Sequence, residues 1–187
     1  MRYILASKSP RRKELLSEII KDFEIITKEV DESLPHDIHP REGVEILAVR
    51  KGAVVAKDVG NDDLVISSDT LVELCGVPLG KPVDENDAVR MLTDLSGKAH
   101  NVHTGVAVHY KGKVYSGVAT TAVYFREMTA EEIKEYVDSK DPMDKAGSYG
   151  IQSGGGKFVE KIDGDYDTVV GLSVSLTKKL ISEAIND

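Results

Sequence analysis

Several things are scarce in this chain of 187 residues: it has no tryptophan, one cysteine, and only 5% aromatic residues. The lone Cys75 excludes an intramolecular disulfide and agrees with a reducing compartment. Few aromatic rings leave few stacking platforms for single-stranded nucleic acid. Positive charge is also in deficit, with Lys+Arg 24 against Asp+Glu 32 and a net charge of -8. That balance argues against the broad basic face of a duplex binder. No apolar run approaches the roughly eighteen residues of a membrane span, and the N-terminus lacks a charged region ahead of a long apolar stretch. The expectation is a cytoplasmic protein with no membrane contact and no stable nucleic-acid binding. The length supports one full core without metal or disulfides, hence a single domain over 1–187 with room for two lobes around one cleft.

Cations are nonetheless concentrated at one place. Tyr3-Ile4-Leu5-Ala6 is a short apolar run, and Ser7-Lys8-Ser9-Pro10-Arg11-Arg12-Lys13 follows it. The pattern predicts strand, tight turn and helix start, with Ser9 as N-cap and Pro10 in the first helical turn. Backbone amides, the positive end of the helix dipole and two guanidinium groups would converge there on an anion such as phosphate. The plainer alternative is a solvated helix face.

Farther along, Leu15, Leu16, Ile19 and Ile20 mark one side of that first helix, and Phe23 to Ile26 reads as a second strand. Val30-Asp31-Glu32 leads into a loop with His36 and His39. Pro40 opens a helix to about Asp58 that carries Arg50 and Lys51. Leu64-Val65-Ile66 is a doubly covered strand ending at Ser67-Ser68-Asp69-Thr70, before Leu71 to Cys75 resumes. Val77 to Pro82 is a rigid segment, and Asp84 caps a helix through Leu95. Residues 102 to 110 alternate as a strand with one buried face, Lys111-Gly112 turns it, and Val114 to Phe125 pairs back. Thr129 starts a helix with a capping box, residues 144 to 157 form a glycine-rich loop, Phe158 to Ile162 is a strand, and a helix closes the chain from about Ser173 to Ile185. The fold class is therefore α/β, with a mixed, mainly parallel central sheet flanked by helices. The antiparallel hairpin near residues 99 to 126 is an extension standing apart from the first βα units.

Asp69 interrupts an apolar strand pattern where α/β sheets place reactive groups, and Glu32 and the arginine turn could share its cleft if the first strands are neighbours. Two carboxylates beside a phosphate cradle suit metal-assisted phosphoryl chemistry with a divalent cation, and Lys51 and Lys81 would neutralise charge on phosphoryl oxygens. Neither His36-x-x-His39 nor His100-x-x-His103 has further ligands at metal spacing. Gly154-Gly155-Gly156-Lys157 fails the phosphate-loop spacing and reads as a rim or lid.

Together these residues resemble the Maf family of nucleoside triphosphate pyrophosphatases, the septum-formation inhibitor-like proteins. Ser7-x-Ser9-Pro10-Arg11-Arg12, Val30-Asp31-Glu32, Ser68-Asp69-Thr70, Leu79-Gly80-Lys81-Pro82, Gly97-x-x-His100-x-Val102-x-Thr104 and Asp144 to Gln152 follow in the family's order. The resemblance implies a Maf/ITPase-like fold and cleavage of a nucleoside triphosphate between its α and β phosphates with Mg or Mn. It implies Asp69 as proton acceptor, Glu32, Lys51 and Lys81 in the same pocket, and Ser7 and Arg12 in the phosphate-binding turn; the metal ligands are not assigned. Arg11, Thr70 and Gln152 match the branch resembling dTTP/UTP pyrophosphatases. Ser68, Ser153 and Ser173 depart from the family's usual alanine, glycine and proline, which bears on base preference and lid shape. The resemblance allows a homodimer. A non-catalytic nucleotide-binding regulator of cell division, or a pyrophosphatase for purine or methylated guanine nucleotides, stays open as an alternative.

Overall fold

A computed structural model describes residues 1–187. The chain divides into two compact units: Met1–Thr70, Thr104–Ala119 and Gly171–Asp187 form the first, Leu71–His103 and Thr120–Val170 the second. No helix is long and apolar enough to cross a membrane.

The first unit opens with strand β1 (Tyr3–Leu5), helix α1 (Pro10–Ser17), strand β2 (Glu24–Ile25) and helix α2 (Pro40–Ala56). Both helices begin with proline in the first turn as expected, and Ser9 Oγ accepts from the Arg12 amide as its cap should; at the second helix His39 Nδ1 accepts from the Arg41 amide, a cap that was not expected. The first helix stops at Ser17 rather than reaching Ile20, so Ile19 and Ile20 lie in a turn and are only half-buried. Strand β1 pairs in parallel with β2 and with β3 (Leu64–Leu74), and the strand order continues to β5 (Ala99–Tyr110) and β6 (Lys113–Phe125). Helix α6 (Val174–Asn186), capped by Ser173, completes the unit. Ile4, Ala6, Val55 and Val65 make a small core in which the β1 and β3 side chains meet α2.

Two expectations about these strands need correction. Strand β3 runs unbroken from Leu64 to Leu74, so Asp69 lies within a strand and not after one. The Ser67-to-Thr70 stretch stays extended because its side chains find partners on both sides. Strand β5 is buried on both faces from Val102 to His109, where one buried face was expected, and it follows β3 in the strand order, so the hairpin extends the same sheet. The second buried face escaped an alternation test because its polar members His103 and His109 are buried.

The second unit contains β4 (Val77–Leu79) antiparallel to the end of β3, helix α3 (Glu85–Leu95), helix α4 (Ala130–Asp138), β7 (Val159–Asp163) antiparallel to β6, and the short helix α5 (Tyr166–Val170). The capping box at Thr129 and Glu132 is present. The glycine-rich segment holds three 3-10 turns, over Asp141–Asp144, Ala146–Ser148 and Gly154–Phe158, so Phe158 belongs to a turn and the strand starts one residue later. Neither α5 nor the turns show a period long enough to be read from sequence. The core of this unit is built from the α3 and α4 apolar faces around edge-to-face rings of Phe125, Tyr149, Tyr136 and Phe158.

The two histidines of the second pair serve this core separately. His103 Nε2 lies 2.7 Å from Glu73 Oε2 and its Nδ1 lies 2.8 Å from Thr120 Oγ1, while Glu73 Oε1 accepts from the Gly76 amide at 3.0 Å. Glu73 and His103 are both buried. Removing one member of such a pair strands the other in a poorly solvating site. His103→Leu should therefore cost about 3 kcal/mol, read as a lower denaturant midpoint, and adding Glu73→Leu should recover part of the loss.

His100 packs edge-on against Phe125 and shares a 2.8 Å hydrogen bond between Nε2 and the Tyr149 hydroxyl, while its buried Nδ1 has no partner. Burial holds its pKa down at about 4. The folded imidazole stays neutral while the unfolded chain takes up a proton from about pH 6.5, so this residue's contribution is present above that pH and is lost on acidification toward about pH 4. Over that window the loss should approach about 3 kcal/mol. Denaturation curves across pH should be flatter for His100→Gln than for the unaltered protein.

Candidate active site

Helix α2 supplies the central cation. Lys51 Nζ lies 2.6 Å from Asp69 Oδ1 on β3 and 2.9 Å from Glu32 Oε1 in the loop between β2 and α2. The lysine is thus bridged by two carboxylates, one nearly buried and one open: the side chains of Asp69 and Glu32 are 12% and 61% exposed. Those fractions separate their character, because Glu32 can exchange partners with solvent while Asp69 depends on Lys51.

The helix reaches β3 because two small residues let it. A Cβ on Gly105 of β5 would fall 2.3 Å from the Val44 carbonyl oxygen of α2, and one on Gly52 would fall 2.4 Å from His109 Cδ2 and 2.6 Å from Ser67 Oγ. Through this contact Ser67 Oγ donates to the Ala48 carbonyl at 2.7 Å and His109 Nε2 donates to the Val49 carbonyl at 3.1 Å. A carbonyl can only accept, so the His109 proton sits on Nε2; burial lowers the pKa of this ring and keeps it neutral. The helix is thereby tied just before Lys51. Sequence reading missed Gly52, Ser67 and His109; the polar Ser67 within an apolar run was the available signal.

The arginine turn makes a second cluster. Arg12 Nε donates to the Gly171 carbonyl at 2.8 Å, and its two terminal nitrogens lie 3.4 Å from Ser7 Oγ and 3.3 Å from Thr70 Oγ1. Thr70 Oγ1 is 2.9 Å from Thr104 Oγ1, and Ser68 Oγ donates to the same Gly171 carbonyl at 2.9 Å. Burial is the main influence lowering the Arg12 pKa, opposed by the negative charge of Asp69 and reinforced by neighbouring Arg11. The expected cradle is therefore partly spoken for: the cap takes the Arg12 amide, the Ser9 carbonyl takes the Lys13 amide, and the Arg12 guanidinium braces the chain.

Alternation along β3 sorts these contacts. Ser67 and Asp69 reach α2, whereas Ser68 and Thr70 reach Gly171 and the arginine turn, so the two clusters use opposite faces of one strand. Of the residues expected from sequence, Glu32, Lys51 and Asp69 are brought into one contact set and Ser7, Arg12 and Thr70 into another, with Arg11 half-buried on the same turn. Lys81 and Gln152 belong to the second unit, where both are exposed. Beside Lys81, the Gly80 carbonyl accepts from the Gly147 amide at 3.0 Å, which ties that segment to the glycine-rich turns.

Fold and site together define a mixed α/β protein that holds a lysine bridged by two carboxylates and, on the other face of the same strand, contacts to an arginine-bearing helix N-terminus. A profile described as Maf-like protein matches residues 2–184. The chain belongs to the Maf-like protein family. A dTTP/UTP pyrophosphatase of Bacillus cereus (strain B4264) is 48% identical over 172 residues, covering 92% of this chain and 90% of the relative. A protein of the same description from Bacillus thuringiensis subsp. konkukian (strain 97-27) is 49% identical over the same shares. Among solved structures, a HAM1 protein from Coxiella burnetii superposes with a TM-score of 0.50 at 13% identity, covering 98% of this chain and 100% of the other, a likeness of fold.

The tie between α2 and the sheet generates a specific expectation. Gly52→Ala should lower stability by about 1–3 kcal/mol, because the new methyl must displace His109 or Ser67. Pairing it with His109→Ala should restore much of the melting temperature, and the single variant melting like the parent would show that the contact is slack.

Proposed function

We propose that the chain is a nucleoside triphosphate pyrophosphatase that hydrolyses dTTP and UTP to the monophosphate and pyrophosphate. The observation that carries this reading is the Glu32–Lys51–Asp69 bridge, supported by the substrates in the names of relatives that share about half of this sequence.

Water attacks the α-phosphorus, the bond from that phosphorus to the oxygen bridging α and β breaks, and pyrophosphate leaves with the bridging oxygen. Asp69 accepts the proton that the water gives up; Lys51 takes only Oδ1 of this carboxylate at 2.6 Å and holds its orientation. The same ammonium faces charge that grows on phosphoryl oxygens in the transition state. Ser7, Arg11 and Arg12 hold phosphates, Lys81 adds a cation, and Thr70 and Gln152 act with Arg11 in choosing the base. The Gln152 amide offers the donor and acceptor needed by a uracil or thymine edge.

Two carboxylates and one ammonium leave a negative balance, which a triphosphate would deepen. Hard oxygen donors of this kind fit Mg or Mn, which is commonly held by one or two carboxylates with substrate phosphates and water completing its shell. Glu32, which is mostly exposed and gives Lys51 only Oε1, would help hold it, and when bound it supplies charge neutralisation for the phosphates. The exposed thiol of Cys75 suits a reducing cytoplasm as the working compartment.

Purified protein incubated with a panel of nucleoside triphosphates and Mg or Mn, followed by pyrophosphate assay, tests the reading. Release should be fastest with dTTP and UTP, and no release from any nucleotide would favour a binding protein. Asp69→Asn should reduce turnover by about 10²–10⁴-fold while nucleotide binding persists; turnover at the parental rate would remove Asp69 from its role.

A further inference from the structure

Glu32 sits in a stretch without regular structure between β2 and α2, yet its carboxylate meets Lys51 at 2.9 Å. An acidic residue in such a loop has many backbone conformations open to it, and fixing it in one of them costs conformational entropy. Something must hold the chain there. The residue before Lys51 does so: Arg50 Nη1 donates to the Asp31 carbonyl at 3.3 Å and to the Ser33 carbonyl at 2.6 Å. These are the carbonyls of the two residues on either side of Glu32. The Asp31 carboxylate completes the turn by accepting from the Ser33 amide at 2.9 Å, which lowers its pKa. Lys28, at the start of the same stretch, is ion-paired with Asp58 just past the end of α2.

We propose that Arg50 is a positioning residue: its guanidinium grips the backbone on both sides of Glu32 while Lys51 takes the side chain, so two consecutive residues of one helix present the catalytic loop. The inference rests on the role given to Glu32 above. Arginine suits the task because its planar fork stays charged and donates along fixed directions to carbonyls a short distance apart. Glu32 is mostly exposed, so packing does little of this work, and losing a charge-assisted grip should let the loop spread over conformations in which the carboxylate misses its place.

The experiment is a double-mutant cycle on pyrophosphate release with Arg50→Met, Glu32→Gln and the two combined, together with amide hydrogen exchange over residues 31–34. Arg50→Met should lower kcat about tenfold to a hundredfold with a smaller change in KM, leave the melting temperature near the parental value, and speed exchange at 31–34 while that of α2 is kept. Arg50→Lys or added guanidinium should restore part of kcat. In the Glu32→Gln background the Arg50 substitution should have little further effect. An equal loss in both backgrounds would overturn the inference, as would unchanged exchange at 31–34 or a parental kcat in Arg50→Met beside a crippled Glu32→Gln. If Glu32→Gln itself turns over at the parental rate, the role of Glu32 falls and this inference with it.

Discussion

The site depends on how closely helix α2 lies on the sheet. Helices usually stand off a sheet by the length of their side chains, but here Gly105 lets the Val44 carbonyl come down onto β5, and Gly52 makes room for His109 and Ser67. Those side chains then tie the helix backbone just ahead of Lys51. A lysine on a free helix would wander through its four rotatable bonds; one launched from an anchored backbone toward a strand carboxylate 2.6 Å away is confined. The carboxylate is confined in turn, since Asp69 belongs to a strand whose flanking residues are bonded on both sides. The loop acid is the third partner and the least restrained, and the adjoining Arg50 supplies its restraint from the same helix.

Much of this was legible in the residues themselves. Ser9-Pro10 and Pro40 mark helix starts by a physical rule about orphan amides, and the Thr129/Glu132 capping box does the same for α4. The β and α succession through the first unit followed from apolar period and punctuation. Asp69 announced itself as a charge inside an apolar run, and Glu32, Lys51 and Asp69 do meet.

What escaped the sequence is instructive for physical reasons. The polar cluster Ser67 to Thr70 looked like a strand's end because buried hydroxyls and a carboxylate are costly unless partnered, and partners on α2, at Gly171 and on the arginine turn come from distant parts of the chain. Burial of both faces of β5 was hidden for the same reason, since His103 and His109 look solvent-facing until their partners are known. The bond from Arg12 to the Gly171 carbonyl, made across the length of the chain, was likewise out of reach of the sequence, in which only the charge of Arg12 is visible. The five-residue helix α5 and the 3-10 turns are too short to carry a period.

Strand β3 deserves a last look as a measuring device. Its even and odd positions address different machinery, hydroxyls toward the turn that carries Arg12 and a hydroxyl and carboxylate toward the helix that carries Lys51. Parity along the strand therefore encodes which half of the site each residue serves. A single residue inserted or deleted ahead of Ser67 would shift that parity, aiming the carboxylate at the Gly171 side and leaving Lys51 opposite a hydroxyl, of Ser68 or of Thr70. The two halves are thus written in one reading frame, and substitutions can tune either half separately while a change of length disables both together.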